Sequence, residues 1–153
     1  MRLLVTGATG FVGQSLCFAL NDSRHKVRAV VRKKSETVLK KTDQFEIADL
    51  SAEIDWSNAL DGVDVVIHAA ARAHIMNDSA QDSLAEFQQV NTIGTLALAR
   101  QAAESGIKRF VFISSIKVNG ETTKPGVPFL PTDNFIPIDP YGLSKYEAEQ
   151  GLL

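Results

Sequence analysis

Short apolar runs alternate along this chain with amphipathic stretches of helical spacing. Leu3-Leu4-Val5 is apolar, partly β-branched and closed at once by glycines, the pattern of a strand buried on both faces. Over residues 12–20 the apolar positions Val12, Leu16, Ala19 and Leu20 recur at helical spacing, and Asn21-Asp22-Ser23 ends the predicted helix. Residues 27–31 predict a second strand, Phe45-Glu46-Ile47-Ala48 a weaker third, residues 63–67 a fourth and residues 109–113 a fifth. Between the last two, a long helix is predicted over residues 84–104, with Leu84, Phe87, Val90, Leu98 and Ala102 on or near one face. Gly106 follows, where a left-handed helix cap is common. Strands alternating with helices need crossover connections, so the predicted fold class is α/β: a doubly wound parallel sheet in three α/β/α layers.

Residues 120–140 are rich in proline and polar residues without a clear period, which predicts a long loop of functional importance. Asp139-Pro140-Tyr141 then opens a helix over residues 141–153. There is no internal repeat and no sign of a second domain. The final helix meets the end of the chain without a stop signal, and the apolar Leu152-Leu153 ending predicts a truncated product.

Composition narrows the setting. A chain of 153 residues suits one domain burying roughly 70% of its unfolded surface. With 44% hydrophobic and 22% charged residues it is ordinary for a globular protein. A net charge of −2 provides no field to attract nucleic acid or an anionic membrane. No apolar stretch approaches the ~20 residues needed to span a bilayer, and glycines interrupt the amino-terminal apolar run too early for a signal peptide. Cys17, the single cysteine, cannot form an internal disulfide, in keeping with a cytoplasmic setting.

Three segments carry chemistry. The first, Thr6-Gly-Ala-Thr-Gly-Phe-Val-Gly13, lies between the first strand and its helix. Gly7 permits the tight turn, Gly10 lets a pyrophosphate approach the backbone, and Gly13 lets helix and strand pack closely. Thr9, Phe11 and Val12 share this cofactor loop, and free amides at the helix start favour phosphate charge. The spacing is G-x-x-G-x-x-G rather than the G-x-G-x-x-G of many dehydrogenases.

The second strand ends Val31-Arg32-Lys33-Lys34, without the carboxylate that NAD-binding folds commonly aim at the ribose 2′-hydroxyl. Arg32 suits a 2′-phosphate and favours NADP over NAD, although the neighbouring Lys40-Lys41 also fits a solvated basic loop. Asp49-Leu50 is placed either to bond an adenine amino group or to cap a turn. After the fourth strand, His68-Ala69-Ala70-Ala71 offers small side chains where a cofactor would lie against the backbone. His68 and His74 lack companions at ligand spacing, so no metal site is expected.

The other two segments are Ser114-Ser115, at the end of the fifth strand, and Tyr141-Gly-Leu-Ser-Lys145. Tyr141 and Lys145 at positions i and i+4 share one helix face. A phenol is a poor base at neutral pH, and a nearby ammonium favours its ionised form. Serine at a strand's carboxyl end lies where α/β folds place their ligand crevice. Ser115 would orient a substrate oxygen toward Tyr141, with Ser114 as its structural neighbour or the two roles exchanged.

In this order the residues resemble the short-chain dehydrogenase/reductase family, in its extended branch of nucleotide-sugar epimerases, dehydratases and reductases. The resemblance covers essentially the whole chain: the glycine loop, Asp49-Leu50, His68-Ala69-Ala70, Asn91, Ser114-Ser115 and Tyr141 to Lys145. It implies a Rossmann sheet, catalytic Ser115, Tyr141 and Lys145, and a cofactor, NADP or NAD, held with help from Asn91 and Lys145. It also implies a nucleotide-sugar substrate, UDP-glucose 4-epimerase or 4-keto reductase chemistry in cell-surface polysaccharide synthesis, and room for a homodimer of a longer protein. The family's S-x-x-V-Y-G segment reads Ser115-Ile-Lys-Val-Asn-Gly120 here, so Asn119 replaces an aromatic residue. Family chains run to about twice this length, so the substrate domain is expected to be absent and this fragment alone inactive. An NADPH-dependent reductase of apolar ketones and a non-catalytic cofactor-binding scaffold are the rival readings.

Overall fold

The computed structural model describes residues 1–34, 42–73, 83–133 and 135–153. Among these, strands β1 (Arg2–Thr6), β2 (Lys26–Val31), β3 (Asp43–Glu46), β4 (Val65–His68) and β5 (Arg109–Phe112) form one parallel sheet in the order β3-β2-β1-β4-β5. The helices are α1 (Phe11–Asn21), α2 (Ser57–Leu60), α3 (Ser83–Phe87), α4 (Thr95–Glu104) and α5 (Pro140–Leu152). This is the predicted doubly wound Rossmann-type sheet. The chain passes from β1 to β2 on one side and returns to β4 on the other. The carboxyl ends of β1 and β4 therefore border the reversal in strand order where such folds bind ligands.

Alternation along β1 divides the core. Leu4 packs with Val30, Trp56, Val66, Leu98 and Ala102 on one face of the sheet. Val5 packs with Ala8, Cys17, Val27, Ala29 and Val31 on the other. Both faces of β1 are thus buried, as its unbroken apolar run requires. None of the described helices is long and apolar enough to cross a membrane.

Several boundaries differ from expectation. The inward stripe of α1 is Gly13, Leu16, Cys17 and Leu20, whereas Val12 and Ala19 face outward. Gly13 leads that stripe because nothing larger fits against the glycine loop. Strand β3 begins earlier than predicted because Asp43 already pairs with Arg28, and it ends earlier because β2 stops at Val31, which pairs with Glu46. Past that point only the amide of Ile47 donates to Val31 O, at 2.9 Å.

The single long helix of the sequence reading is three pieces: α3, a π-helical turn Gln88–Gly94, and α4. Short α2 was not predicted, since four residues carry no period. Residues 120–133 and 135–139 contain neither helix nor strand, matching the predicted loop. Gly106 adopts φ +71° after α4, as its cap position requires.

Candidate functional site

The amino-terminal loop is shaped by backbone proximity. Gly7 has φ +65°, and a Cβ there would sit 2.7 Å from Ala70 N and 2.8 Å from the Ala69 carbonyl carbon. The Gly10 amide donates to Gly7 O at 2.9 Å, closing the turn, and Gly10 caps α1 with no side chain in the way. A Cβ on Gly13 would collide with Gly7 O. The third glycine therefore lets α1 settle on the loop itself, rather than on the strand as the sequence reading supposed. The first amides of α1 have no partner within the helix, so together with the helix dipole they favour an anion.

Beside this loop opens a groove of about 830 Å³, within the range of small-molecule and cofactor sites. Its walls bring together Gly7, Thr9, Gly10, Arg32, Asp49, Leu50, Ala69 and Ala70, residues that lie far apart in sequence. Phe11, Val12 and Gly13 are not on the walls, and the Phe11 side chain is 91% exposed. Arg32 lies 3.6 Å from Asp49 as an exposed ion pair, so the candidate 2′-phosphate and adenine residues are neighbours. A glycine turn, a helix start without a side-chain cap, walls of small residues and a basic residue at the far strand end fit a dinucleotide. Lys40, Lys41 and His74 lie outside the described residues.

His68 fixes the wall behind the groove. Fully buried at the end of β4, it is bonded through Nδ1 to Thr6 Oγ1 at 2.6 Å and through Nε2 to Thr95 Oγ1 at 2.9 Å. Thr6 Oγ1 also accepts from the Ala70 amide at 3.1 Å. Burial, then the nearby Lys145 charge, pushes the imidazole down to about 3, so it is neutral. Sequence reasoning weighed His68 as a metal ligand and in the small-residue motif. It missed this hydroxyl–imidazole–hydroxyl bridge, because neither threonine stands near it in sequence.

Helix α5 starts where predicted. Asp139 is its N-cap, accepting from the Gly142 amide at 3.0 Å, and Pro140 occupies the first turn. Tyr141 is half-buried, its ring edge-on to Phe87 with centroids 6.1 Å apart. Lys145 is 2% exposed, and its Nζ sits 3.9 Å from the centroid of Phe112 at the end of β5. Desolvation pushes the amine down to about 8, with Glu149 acting in the opposite sense.

Asn91 joins the groove to this helix. It is fully buried in the π-helical turn, with Oδ1 accepting from Arg72 N at 2.8 Å. Nδ2 donates to Arg72 O and to Ser144 Oγ, each at 3.0 Å. Arg72 lines the groove, and its guanidinium lies 5.5 Å from the Phe87 centroid. Asn91 itself is not on the groove wall, and these bonds go to protein. Arg72 and Ser144 were not singled out in the sequence, and Phe87 only as an apolar helix position, because only the tertiary fold brings them beside Asn91 and Tyr141.

Ser115 ends the β5 segment and caps a short 3₁₀ turn, Ile116–Val118, with Oγ accepting from Lys117 N at 3.3 Å. Its hydroxyl proton therefore stays available to a substrate oxygen. Ser114 Oγ is buried without a partner among the described residues, which distinguishes the two serines the sequence left interchangeable. Lys117 Nζ reaches Asp139 Oδ1 at 3.2 Å, tying the serine turn to the cap of α5. Partial burial pushes the Asp139 carboxyl up, but the Gly142 amide and the Lys117 ammonium outweigh it and hold the group below the usual carboxylate range.

Residues 3–153 match the family model described as NAD dependent epimerase/dehydratase family. The chain belongs to this family. It is 48% identical to UDP-glucose 4-epimerase of Vibrio cholerae over 99% of its own length and 46% of that protein's. A 3 beta-hydroxysteroid dehydrogenase/Delta 5-->4-isomerase of Mycobacterium tuberculosis is 34% identical, over 99% of the chain and 42% of the relative. Among solved structures, MoeE5 in complex with UDP-glucuronic acid and NAD superposes with a TM-score of 0.84 at 29% identity, over 99% of this chain and 48% of that one. The chain thus spans about half the length of the relatives it matches.

Proposed function

We propose that the protein carrying this chain interconverts alcohol and ketone at C4 of a UDP-linked hexose, with residues 1–153 as its dinucleotide-binding domain. A bound nicotinamide dinucleotide, NAD or NADP, would supply hydride exchange. Tyr141 moves the proton of the C4 hydroxyl, and Ser115 donates a hydrogen bond to that oxygen. The Lys145 ammonium would donate to the nicotinamide ribose hydroxyls. Gly7, Gly10 and the first amides of α1 would hold the pyrophosphate, and Arg32 and Asp49 the adenosine end.

The observation that carries this reading is the seating of Lys145. A buried amine one helical turn after Tyr141 meets the ring of Phe112 at the carboxyl end of β5; β5 neighbours β4, after which Ala69, Ala70 and Ala71 line the groove, although Ser115, Tyr141 and Lys145 are not themselves on its walls. The names of the Vibrio relative and of the MoeE5 complex support a UDP-sugar substrate. Return of the hydrogen to the opposite face of the sugar gives an epimerase, whereas release of the alcohol gives a reductase. Cell-surface polysaccharide synthesis is the role that suits either product.

The test is a screen of UDP-hexoses with the full-length protein, following nicotinamide absorbance and the configuration at C4. Turnover of at least one UDP-hexose is expected. Retention of NAD through purification would indicate the epimerase, and preference for free NADPH the reductase. Inertness toward every UDP-hexose, with turnover of an apolar ketone, would overturn the proposal. That second reading is favoured by Ile116, 63% exposed at the start of the serine turn, and Ile138, 89% exposed just before α5.

A further inference from the structure

A lysine held 2% exposed needs something to compensate its charge. Among the described residues no hydrogen bond or ion pair is formed by Lys145 Nζ. What faces it at 3.9 Å is the ring of Phe112, well inside the ~6 Å limit for attraction between a cation and an aromatic face. That ring lies nearly parallel to the imidazole of His68, with centroids 5.9 Å apart and planes at 19°. His68 cannot swing, because Thr6 and Thr95 hold its two nitrogens.

We propose that Phe112 is a positioning residue of the reaction site: its ring seats the Lys145 ammonium, and the pinned His68 fixes the ring. The inference rests on the assignment of Lys145 to the proton-transfer site and adds how that ammonium is kept charged and aimed. An ammonium has three N–H donors. With one directed at the aromatic face, two remain for the hydroxyls of a bound ligand. A carboxylate in the ring's place would tie the amine by a strong directional bond and make it less available to those hydroxyls. The neutral state of His68 belongs to the same arrangement, since an imidazolium beside the ring would repel the ammonium. The titratable groups near Lys145 are Glu149 on its own helix and His68 from β4, with Tyr141 one turn earlier on α5.

The test replaces Phe112 in the full protein with mono-, di- and trifluorophenylalanine, which weaken the ring's negative face while nearly preserving its shape. The Lys145 titration is read by NMR from ¹³Cε-lysine, assigned with Lys145→Met. If the ring stabilises the ammonium, the pKa falls stepwise with fluorination, by roughly 0.5 to 1.5 units across the series. A pKa that stays flat in folded protein overturns the proposal. Because this readout does not use turnover, it is separate from the functional assignment, which fails instead if Lys145→Met retains full activity. Phe112→Leu supplies the steric comparison: it should lower the same pKa, and Phe112→Tyr should restore it.

Discussion

Asn91 Nδ2 donates to Ser144 Oγ at 3.0 Å, and Ser144 Oγ in turn donates to the carbonyl of Tyr141 at 2.8 Å. The residue that interrupts the long helix thus bonds directly into the turn presenting the phenol. Through Arg72 the same side chain holds the groove wall. One buried amide therefore links the groove wall to the first turn of α5, which carries Tyr141.

Replacing Asn91 with Ala should remove all three bonds and leave the Arg72 backbone groups without these partners. The expected loss is about 2 to 4 kcal/mol of folding stability, measured by denaturant titration. Asn91→Asp should also destabilise, since a carboxylate cannot donate to Arg72 O. Stability within about 0.5 kcal/mol of wild type would show that the tie is not structural.

A methyl group on Gly13 has no room against Gly7 O, so Gly13→Ala should displace α1 from the loop. Dinucleotide affinity is expected to fall at least about tenfold, or about 1.4 kcal/mol, in a titration followed by nicotinamide fluorescence. The comparison is Gly106→Ala, where nothing lies within 4 Å. Only its left-handed conformation resists the change, so it should cost stability of about 1 kcal/mol and leave cofactor affinity alone.

The sequence revealed the fold well because the information was local and periodic. The doubly apolar β1, the glycine turn and the Asp139-Pro140 helix start each depend on neighbours in the chain. The candidate site was legible as residue types at strand and helix ends, which is why Tyr141, Lys145 and Ser115 were nameable without coordinates. What stayed hidden was held by long-range contacts. Examples are the imidazole between Thr6 and Thr95, the ring beneath Lys145, and the bond from Lys117 to Asp139. None produces a spacing, since each joins residues that only the folded sheet makes neighbours. The π-helical turn around Asn91 left no break in the apolar spacing, and α1's outward Val12 reflects a constraint set by Gly7 rather than by hydropathy.

Acid should expose the burial of His68. Its folded pKa of about 3 lies below the ordinary value of 6.5, so the unfolded chain binds more protons between these limits. Stability therefore rises with pH across that window and is lost as pH falls through it. His68 alone should cost about 2 kcal/mol on going from neutral pH to about pH 5. In thermal melts at these two pH values, His68→Gln should show a smaller pH-dependent drop than wild type. An equal drop would mean that other groups dominate the acid response.

The proposed contact of Arg32 with a 2′-phosphate makes it the test of choice between the two nicotinamide dinucleotides. Its Asp49 partner is exposed and at 3.6 Å, a weak competitor for the guanidinium. Arg32→Ala should weaken NADPH binding about tenfold and change NADH binding by less than about twofold, as measured by calorimetry. Equal losses for both would assign Arg32 to adenine packing rather than to a 2′-phosphate.

Tyr141→Phe in the full-length protein is the most direct test, because it removes one hydroxyl from the helix that Lys145 and Asn91 anchor. Turnover of a UDP-hexose should fall by at least about a hundredfold, with dinucleotide affinity unchanged within about twofold. Undiminished turnover would contradict the assignment of proton transfer to Tyr141.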